Sequence, residues 1–397
     1  MQKSQEGFTW TAKGDFQGKS VLLVEARDRI GGRCWTAEAG DDTKVELGGT
    51  WVHWQQPHVF SELQRYDLAN FQETVAFPEN GEFVVKESRS HPARVQNSAE
   101  GQVMMERLEG LMEKFFDNPD YLELDKLSLA DRIAQLDSCS QEERSMLSAH
   151  TASFYGVSPE KVSFAEVLHT HALCNFDPAM MDIAIMKYKI ARGTTAFARA
   201  ILDDYKRARI FGSPFVSKFV IPTIPINVIS SITFDPPLST LQREVFSTGV
   251  TPAKSDKLLV CTSSDLRNGF NVTCEGGDMP YTSGFADGKH GNHTLLTLLA
   301  HPGNNLDRSE ENIRLMETLR PTGIQVDSAC GHLWSEDSYA GGVTPVRGPE
   351  FLQKYHDAIR RPHGQVHLCG SDFADGGRGF ISGVFEDAYR VTRDILR

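Results

Sequence analysis

The amino-acid sequence predicts an α/β protein that is long enough for two domains or for one large two-lobed fold. Three observations support this prediction. The apolar run at residues 21–24 has the length of a buried parallel strand and ends in the acid Glu25. Apolar residues recur at intervals of three and four through much of 57–205, which is typical of helices. Near the carboxyl end, a short strand at 366–369 leads through a glycine-rich turn into a helix at 383–396.

Composition and charge exclude several classes of function. The chain has 397 residues, enough for two lobes, and its net charge of -12 opposes binding to nucleic acid. No apolar run reaches the roughly 18 residues of a membrane helix, and no secretory signal follows the polar start. Seven scattered cysteines without a CxxC pair favour reduced thiols. His169 and His171 would point apart on a helix, so they predict no metal site. A cytoplasmic protein without nucleic acid, membrane or metal partners is expected.

The first candidate binding residue is Glu25, at the end of the predicted strand at 21–24. A carboxylate in this position is typical of the second strand of a dinucleotide-binding unit, where it accepts hydrogen bonds from a ribose. A surface glutamate after a strand is the alternative. The residues that follow favour a binding role for Glu25. Gly31 and Gly32 let the backbone approach a ligand closely, and Arg33 offers several fixed donors to phosphate.

The remaining predicted elements lie between residues 44 and 319. A strand at 44–47 runs into the sequence GGTW at 48–51. Residues 210–234 read as extended and loop-like because three prolines interrupt them. The remaining apolar patterns predict helices at 104–116, 127–136, 141–154 and 307–319, and strands at 258–262, 272–274 and 294–299.

The glycine-rich loop that normally precedes an acid-ended strand is absent from residues 1–20. The nearest match elsewhere is the sequence GRGFISG at 377–383, which has one residue too many before its third glycine. It follows a predicted strand and opens a predicted helix. That position offers backbone N–H groups and the positive end of the helix dipole to an electron-rich ligand.

Several motifs, in order along the chain, are together similar to those of one enzyme family. They are VEARDRIGGR at 24–33, ELGGTWVH at 46–53, YK at 188–189, GTTAFA at 193–198, FGSP at 211–214, TIPINVI at 223–229, GSD at 370–372 and RGFISG at 378–383. The chain resembles the flavin amine oxidases, and among them most closely the fungal monoamine oxidases. The motifs span nearly the whole sequence.

The resemblance implies a Rossmann-like FAD lobe, discontinuous and truncated, beside an α+β substrate lobe. The FAD lobe would take residues 1–56, 210–240 and 336–397. The substrate lobe would take a mainly helical part at 57–209 and a sheet and helix at 241–335.

The same resemblance assigns residues to parts of the cofactor. Glu25 would hold the adenosine ribose, Val216 would contact the adenine side, and Asp372 would reach the ribityl chain or pyrophosphate. The other implied FAD-binding residues lie around the pyrophosphate and the flavin ring: Gly31, Gly32, Arg33, Gly48, Gly49, Thr50, Trp51, Gly370, Phe380 and Ile381.

Three residues are implied in catalysis. Lys257, with Lys254 as the second choice, would hold a water against flavin N5. Phe380 would form one wall of the aromatic cage that aligns the amine. Val343 occupies the other wall, where the family has an aromatic residue, and offers no π face to the amine. Because Gly342 stands where some relatives have a cysteine, FAD would be bound without a covalent link.

By resemblance, the protein converts a primary amine to an aldehyde, with dioxygen as the second substrate and ammonia and hydrogen peroxide as products. The oligomeric state is open, and a homodimer is compatible with the sequence. Two departures from the family pattern leave other hypotheses open. The first βα unit is missing, and residues 216–218 run almost directly into 223–225, where the family has a hairpin. The alternatives are a protein that has lost FAD and serves a non-redox biosynthetic or binding role, and an inactive truncated product.

Overall fold

A computed structural model gives the fold of most of the chain. It describes residues 13–16, 19–38, 43–74, 82–96, 121–137, 139–203, 216–266, 269–274, 278–290, 293–301 and 310–397. The helix predicted at 104–116 lies outside the described residues.

The described strands are short, except in one large sheet. They are β1 (Lys13–Phe16), β2 (Lys19–Leu22), β3 (Thr36–Glu38), β4 (Lys44–Glu46), β5 (Phe71–Glu73), β6 (Glu82–Lys86), β7 (Arg94–Gln96), β8 (Tyr188–Ile190), β9 (Val250–Pro252), β10 (Lys257–Thr262), β11 (Phe270–Cys274), β12 (Tyr281–His290), β13 (His293–Ala300), β14 (Ser328–His332) and β15 (Pro345–Arg347).

The helices concentrate between the fifth and eighth strands and at the carboxyl end. They are α1 (Pro57–Arg65), α2 (Tyr121–Asp125), α3 (Leu129–Ala134), α4 (Gln141–Tyr155), α5 (Phe164–Ala172), α6 (Pro178–Met186), α7 (Thr194–Asp203), α8 (Thr240–Glu244), α9 (Glu310–Glu317), α10 (Phe351–Lys354), α11 (His356–Arg360) and α12 (Ile381–Leu396). Within the described ranges, every helix is too short or too polar to cross a bilayer.

The large sheet has seven strands in the order β14-β10-β13-β12-β11-β6-β7. All neighbours in it are antiparallel except β6 and β11. The strands predicted at 258–262, 272–274 and 294–299 are confirmed as β10, β11 and β13, each slightly longer than its apolar run.

Both faces of β10 are covered, because alternate side chains of a strand point to opposite faces. Leu258 belongs to a buried cluster that includes Met316 of α9. Leu259, on the other face, packs with Val45 and Leu47 around β4. The sheet is therefore held between a helix and the segment that leads into the GGTW loop.

The helical part owes its boundaries to local capping. Ser128 and Ser140 each begin a helix with a capping box, in which the serine hydroxyl and an acid three residues later exchange hydrogen bonds with the backbone. Gly156 ends α4 in a left-handed conformation, with φ of 65°. The helices predicted at 127–136 and 141–154 are confirmed as α3 and α4.

The prediction of a buried parallel strand at 21–24 is wrong. Instead, β2 pairs antiparallel with β1 in a two-stranded hairpin. Val21 is 38% exposed and Val24 is 47% exposed. An apolar run is buried only if other elements cover it, and within the described residues β1 is the one strand that pairs with β2.

The strand predicted at 366–369 is replaced by an irregular segment that still pairs in parallel with residues 220–222. His367 N donates to Val220 O at 2.9 Å, and Cys369 N donates to Pro222 O at 3.0 Å. Prolines on the partner segment limit the hydrogen-bond ladder, because proline has no N–H to donate. A 3₁₀ turn at Ser371–Phe373 and then α12 follow.

Candidate active site

The turn at Gly31 and Gly32 has the conformation that its glycines predict. Gly31 has φ of 99°, and a Cβ on it would lie 2.6 Å from the Cys34 carbonyl oxygen. Gly32 has φ of 58°, and no atom lies within 4 Å of the position of its Cβ. Gly31 is therefore required by the turn itself, whereas Gly32 leaves its backbone open to a ligand.

Arg33 joins this turn to two distant segments of the chain. Its guanidinium donates to Asp372 Oδ1 at 2.5 Å and to the Val343 carbonyl at 2.8 Å. Asp372 is buried, and its other oxygen accepts from Ile226 N at 3.0 Å. Because the buried carboxylate has both a charged partner and a backbone donor, its burial is compensated. Arg33 is 21% exposed and so remains accessible to a ligand.

Glu25 is half-buried beside a second ion pair. One of its oxygens accepts from Arg27 N at 2.9 Å. Arg27 in turn forms a two-pronged pair with Asp337, at 2.8 and 2.7 Å. Burial alone would raise the pKa of Asp337, but hydrogen bonds from Arg27 and His332 hold that pKa well below its usual range. This pairing fixes the backbone that carries Glu25.

The GGTW loop lies between the Gly31 turn and the start of α12. A Cβ on Gly48 would lie 1.9 Å from the Arg33 carbonyl oxygen. A Cβ on Gly49 would lie 3.1 Å from Cys34 Sγ and 3.5 Å from Ile381. These two glycines are needed for contact between protein segments, so their predicted place beside the flavin ring stays a prediction.

Lys257 is buried against the same loop. Its Nζ donates to the Gly48 carbonyl and to Thr50 Oγ1, both at 2.5 Å, and lies 4.8 Å from the centre of the Trp51 ring. Burial lowers the pKa of Lys257 to about 8, although nearby carboxylates oppose the shift. Lys254, the second candidate, is exposed. The structure therefore brings Lys257, and not Lys254, to the predicted site.

Behind Trp51 lies a buried ion pair that sequence reasoning missed. Trp51 Nε1 donates to Asp287 Oδ1 at 3.3 Å, and Lys189 Nζ lies 3.2 Å from Asp287 Oδ2. Thr297 Oγ1 donates to the same Oδ2 at 3.0 Å. Asp287 lies in a polar stretch that gave no signal by itself. Its spacing of two residues from buried Phe285 on β12 could have placed it on the inner face.

Phe380 occupies the residue before α12. The helix has no side-chain cap; Gly383 N donates to Phe380 O at 3.1 Å, and the N–H groups of Ile381 and Ser382 retain hydrogen-bonding capacity. Gly370, at φ of 139°, has no atom within 4 Å of its Cβ position. Both features leave backbone open in the segment that the sequence assigned to the cofactor.

A cavity of about 260 Å³ adjoins Phe380. Its apolar wall consists of side chains from α5 and α6, and its polar wall comes from the start of α1 and the loop before α12. The lining residues are Gln55, Gln56, Pro57, His58, Thr170, Leu173, Cys174, Met181, Ala184, Ile185, Gly376, Gly377, Phe380, Ser382 and Glu386.

Two predicted site residues lie away from this cavity. The Val343 side chain packs against the core of the helical part, with Val346 and Ala253. Val216 is fully exposed. The facing of Val343 and Phe380 as two walls of a cage therefore stays a prediction, as does the adenine contact of Val216.

Unpaired buried polar atoms test whether these residues fit a bound cofactor. The amide nitrogen and oxygen of Asn227 are both buried without a hydrogen-bond partner in the described residues, and so is Arg347 Nη1. Asn227 lies beside Gly342, the segment whose carbonyl Arg33 contacts. Unsatisfied buried groups are rare in folded proteins, so these atoms fit a polar ligand.

A family model described as flavin containing amine oxidoreductase matches residues 16–209 and 203–396. The chain therefore belongs to the flavin-containing amine oxidoreductase family, and FAD is its cofactor.

Relatives of established name match along nearly the full chain. A pseudooxynicotine dehydrogenase of a Pseudomonas species is 28% identical over 94% of this chain and 81% of its own. Nicotine dehydrogenase of Pseudomonas putida is 26% identical, over 98% and 86%. Human flavin-containing amine oxidase B is 22% identical, over 96% and 82%.

Solved structures share the fold. Putrescine oxidase bound to putrescine superposes with a TM-score of 0.77 at 18% identity, covering 96% of this chain and 94% of that one. Cyclohexylamine oxidase from Brevibacterium oxydans gives a TM-score of 0.75 at 18% identity, with coverage of 96% and 95%. These likenesses confirm the predicted α/β class with a large second-lobe sheet.

Proposed function

We propose that the protein is an FAD-dependent oxidase of a primary amine that releases an aldehyde, ammonia and hydrogen peroxide. The observation that carries the proposal is the buried position of Lys257 against Thr50 and Trp51, in the loop that also contacts Ile381 at the start of α12. Two distant motifs of the family, ELGGTWVH and RGFISG, thus meet beside one lysine.

Glu25 would hold the ribose and Arg33 the pyrophosphate, and no atom lies within 4 Å of the Cβ position of Gly32 or of Gly370. When bound, FAD supplies the two-electron oxidation of the amine. The uncapped start of α12 offers N–H groups and a positive dipole end to an electron-rich part of the ligand.

The chain's own residues orient the amine and exclude water. The cavity beside Phe380 has an apolar wall that can accept the body of an amine, and burial keeps the reacting carbon away from solvent. In its charged form Lys257 has three N–H donors, of which two go to Gly48 O and Thr50 Oγ1, so the third can hold a water molecule. No side-chain base in the cavity is required for this role.

The test is the visible spectrum of the purified protein together with peroxide release on addition of primary amines. We expect yellow protein and peroxide in proportion to the aldehyde formed. Colourless protein that unfolds cooperatively would support a non-redox role instead, and protein that does not fold would support an inactive product.

Electron acceptors other than dioxygen form the second candidate, because two relatives are named dehydrogenases. An artificial dye acceptor in place of air distinguishes the two. If amine oxidation proceeds with the dye and no peroxide forms in air, the protein is a dehydrogenase and the oxidase proposal fails.

A further inference from the structure

Two glutamines in the cavity beside Phe380 have unused hydrogen-bond acceptors. The side-chain oxygens of Gln55 and Gln56 are buried, and none of the described residues donates to them. Both residues line the cavity. A buried acceptor that has lost water without gaining a donor is unfavourable by itself, so a ligand that supplies a donor would be favoured.

Local structure fixes these two side chains at the start of α1. Gln55 N donates to His53 Nδ1 at 3.0 Å and Gln56 N donates to His53 O at 3.0 Å, which makes a tight turn before Pro57. Gln56 is the N-cap residue of α1 but does not cap it. Instead its Nε2 lies 3.4 Å from the Ala184 carbonyl of α6, so the nitrogen is engaged and the oxygen is left free.

Three other polar side chains of the cavity have hydrogen-bond partners. Thr170 Oγ1 donates to the Glu166 carbonyl at 2.9 Å. The Glu386 carboxylate accepts from three successive backbone N–H groups, at 3.0, 2.7 and 2.7 Å. Ser382 Oγ accepts from Val59 N at 3.4 Å. Among the lining side chains, the buried polar atoms without a partner in the described residues are therefore the two glutamine oxygens, and an amide oxygen only accepts.

We propose that Gln55 and Gln56 are specificity-determining residues, which select amines that carry a second group able to donate a hydrogen bond. Such a group is a hydroxyl or an N–H, separate from the amine that reacts, on an apolar body that fits the wall formed by Leu173, Met181 and Ile185. This inference rests on the proposed function for the identity of the reacting group.

The discrimination follows from the cost of leaving acceptors unpaired. An amine without a second donor would exclude water from the cavity and leave both glutamine oxygens without a hydrogen bond. A matched amine, which carries a second donor, pairs at least one of them. The expected preference for the matched amine is about tenfold, the value of one buried hydrogen bond.

The test compares 2-phenylethylamine with tyramine, which differ by one phenolic hydroxyl. Binding is measured by calorimetry without oxygen on the FAD-loaded protein, and turnover is measured separately by peroxide release. We expect tyramine to bind about tenfold more tightly. Gln56→Leu and Gln55→Leu should each reduce that ratio, and Gln56→Glu, which keeps an acceptor oxygen, should preserve it.

Gln64→Leu is the matched control, because it makes the same change at an exposed position of α1. The inference is overturned if the wild type binds both amines equally, or if Gln64→Leu lowers the ratio as much as the cavity variants do. A tyramine preference in binding without peroxide from either amine would support the inference and count against the proposed oxidase.

Discussion

Leu258 and Leu23 both lie in apolar runs that predict buried strands, yet only Leu258 is buried in the structure. Leu258 is fully buried in the seven-stranded sheet, whereas Leu23 is 42% exposed just after the amino-terminal hairpin. The difference lies in the neighbours. β10 has a strand on each side and covered faces, while β2 pairs with β1 alone within the described residues. Apolar composition predicts a strand, but burial requires the rest of the sheet.

The same contrast separates the two lobes in function. In the sheet of the substrate lobe, burial holds Lys257, Asp287 and Trp51 at fixed distances. In the cofactor lobe, Glu25 follows the exposed run and depends on the Arg27 and Asp337 pair for its position. Glu25, proposed to hold the ribose, thus depends for its position on an ion pair rather than on a covered sheet.

The largest expected effect compares the same substitution in both regions. Leu258→Ala should lower the free energy of unfolding by about 2–5 kcal/mol, because it leaves a cavity in a packed core. Leu23→Ala should change it by about 0.5 kcal/mol, as at other exposed positions. Urea unfolding followed by tryptophan fluorescence measures both. Equal losses would mean that the hairpin is covered after all.

Lys257 lies on β10 of the seven-stranded sheet and beside the GGTW loop, so it extends the comparison to the proposed site. Its pKa falls from 10.5 unfolded to about 8 folded, so the unfolded chain binds more protons between these values. Stability of the wild type should therefore rise with pH from about 8 to 10.5, and below pH 8 the full cost of burying the charge is present. Lys257→Met should be more stable at pH 7, by up to about 3 kcal/mol.

Thermal unfolding of both proteins at pH 7, 9 and 10.5 checks this prediction. The advantage of Lys257→Met should shrink as the pH rises. A constant advantage across this range would show that Lys257 keeps an ordinary pKa in the folded state. Amine oxidation by the same variant should fall strongly at every pH, since the group proposed to hold the water is gone.

Glu25 tests the region of the comparison that lies outside the seven-stranded sheet. Glu25→Ala should weaken FAD binding by about 2 kcal/mol, roughly 30-fold, because it removes a charged acceptor of hydrogen bonds. The ratio of flavin to protein after gel filtration measures the loss. Asp28→Ala, an exposed acid three residues further on, is the matched control. Unchanged flavin content in Glu25→Ala would refute the role assigned to this residue.

The smallest expected effect concerns the ion pair behind Trp51. Trp51→Phe keeps an aromatic ring near Lys257 but removes the N–H that donates to Asp287. We expect kcat to fall about fivefold, the value of one hydrogen bond, with KM little changed. Trp54→Phe, at an exposed tryptophan, should have no such effect. Equal losses of kcat in both variants would show that the hydrogen bond from Trp51 to Asp287 does not position the ring.

Much of the fold could be predicted from the sequence. Strands β10, β11 and β13 follow from apolar runs, and helices α3 and α4 follow from apolar residues spaced at three and four. The positive φ values of Gly31 and Gly32 follow from the glycines themselves. These features depend on local chemistry or on a core that is complete, so sequence pattern is enough to find them.

The features that sequence missed depend on distant partners. Asp287 became part of the site only because folding places β12 behind Trp51, and Asn227 became an unpaired buried amide only because Gly342 packs against it. The exposure of residues 21–24 could not be predicted from the apolar run alone, because it depends on which strands pair with that run. Such long-range arrangements leave no periodic signal in a single sequence.

The central claim is that the surviving contact residues bind FAD without the usual glycine-rich phosphate loop. Its most direct test is to strip the protein of flavin, add FAD, and measure the melting temperature and the flavin absorbance of the gel-filtration peak. We expect a higher melting temperature and one co-eluting flavin population. No rise in melting temperature and no flavin in the protein peak would contradict the account.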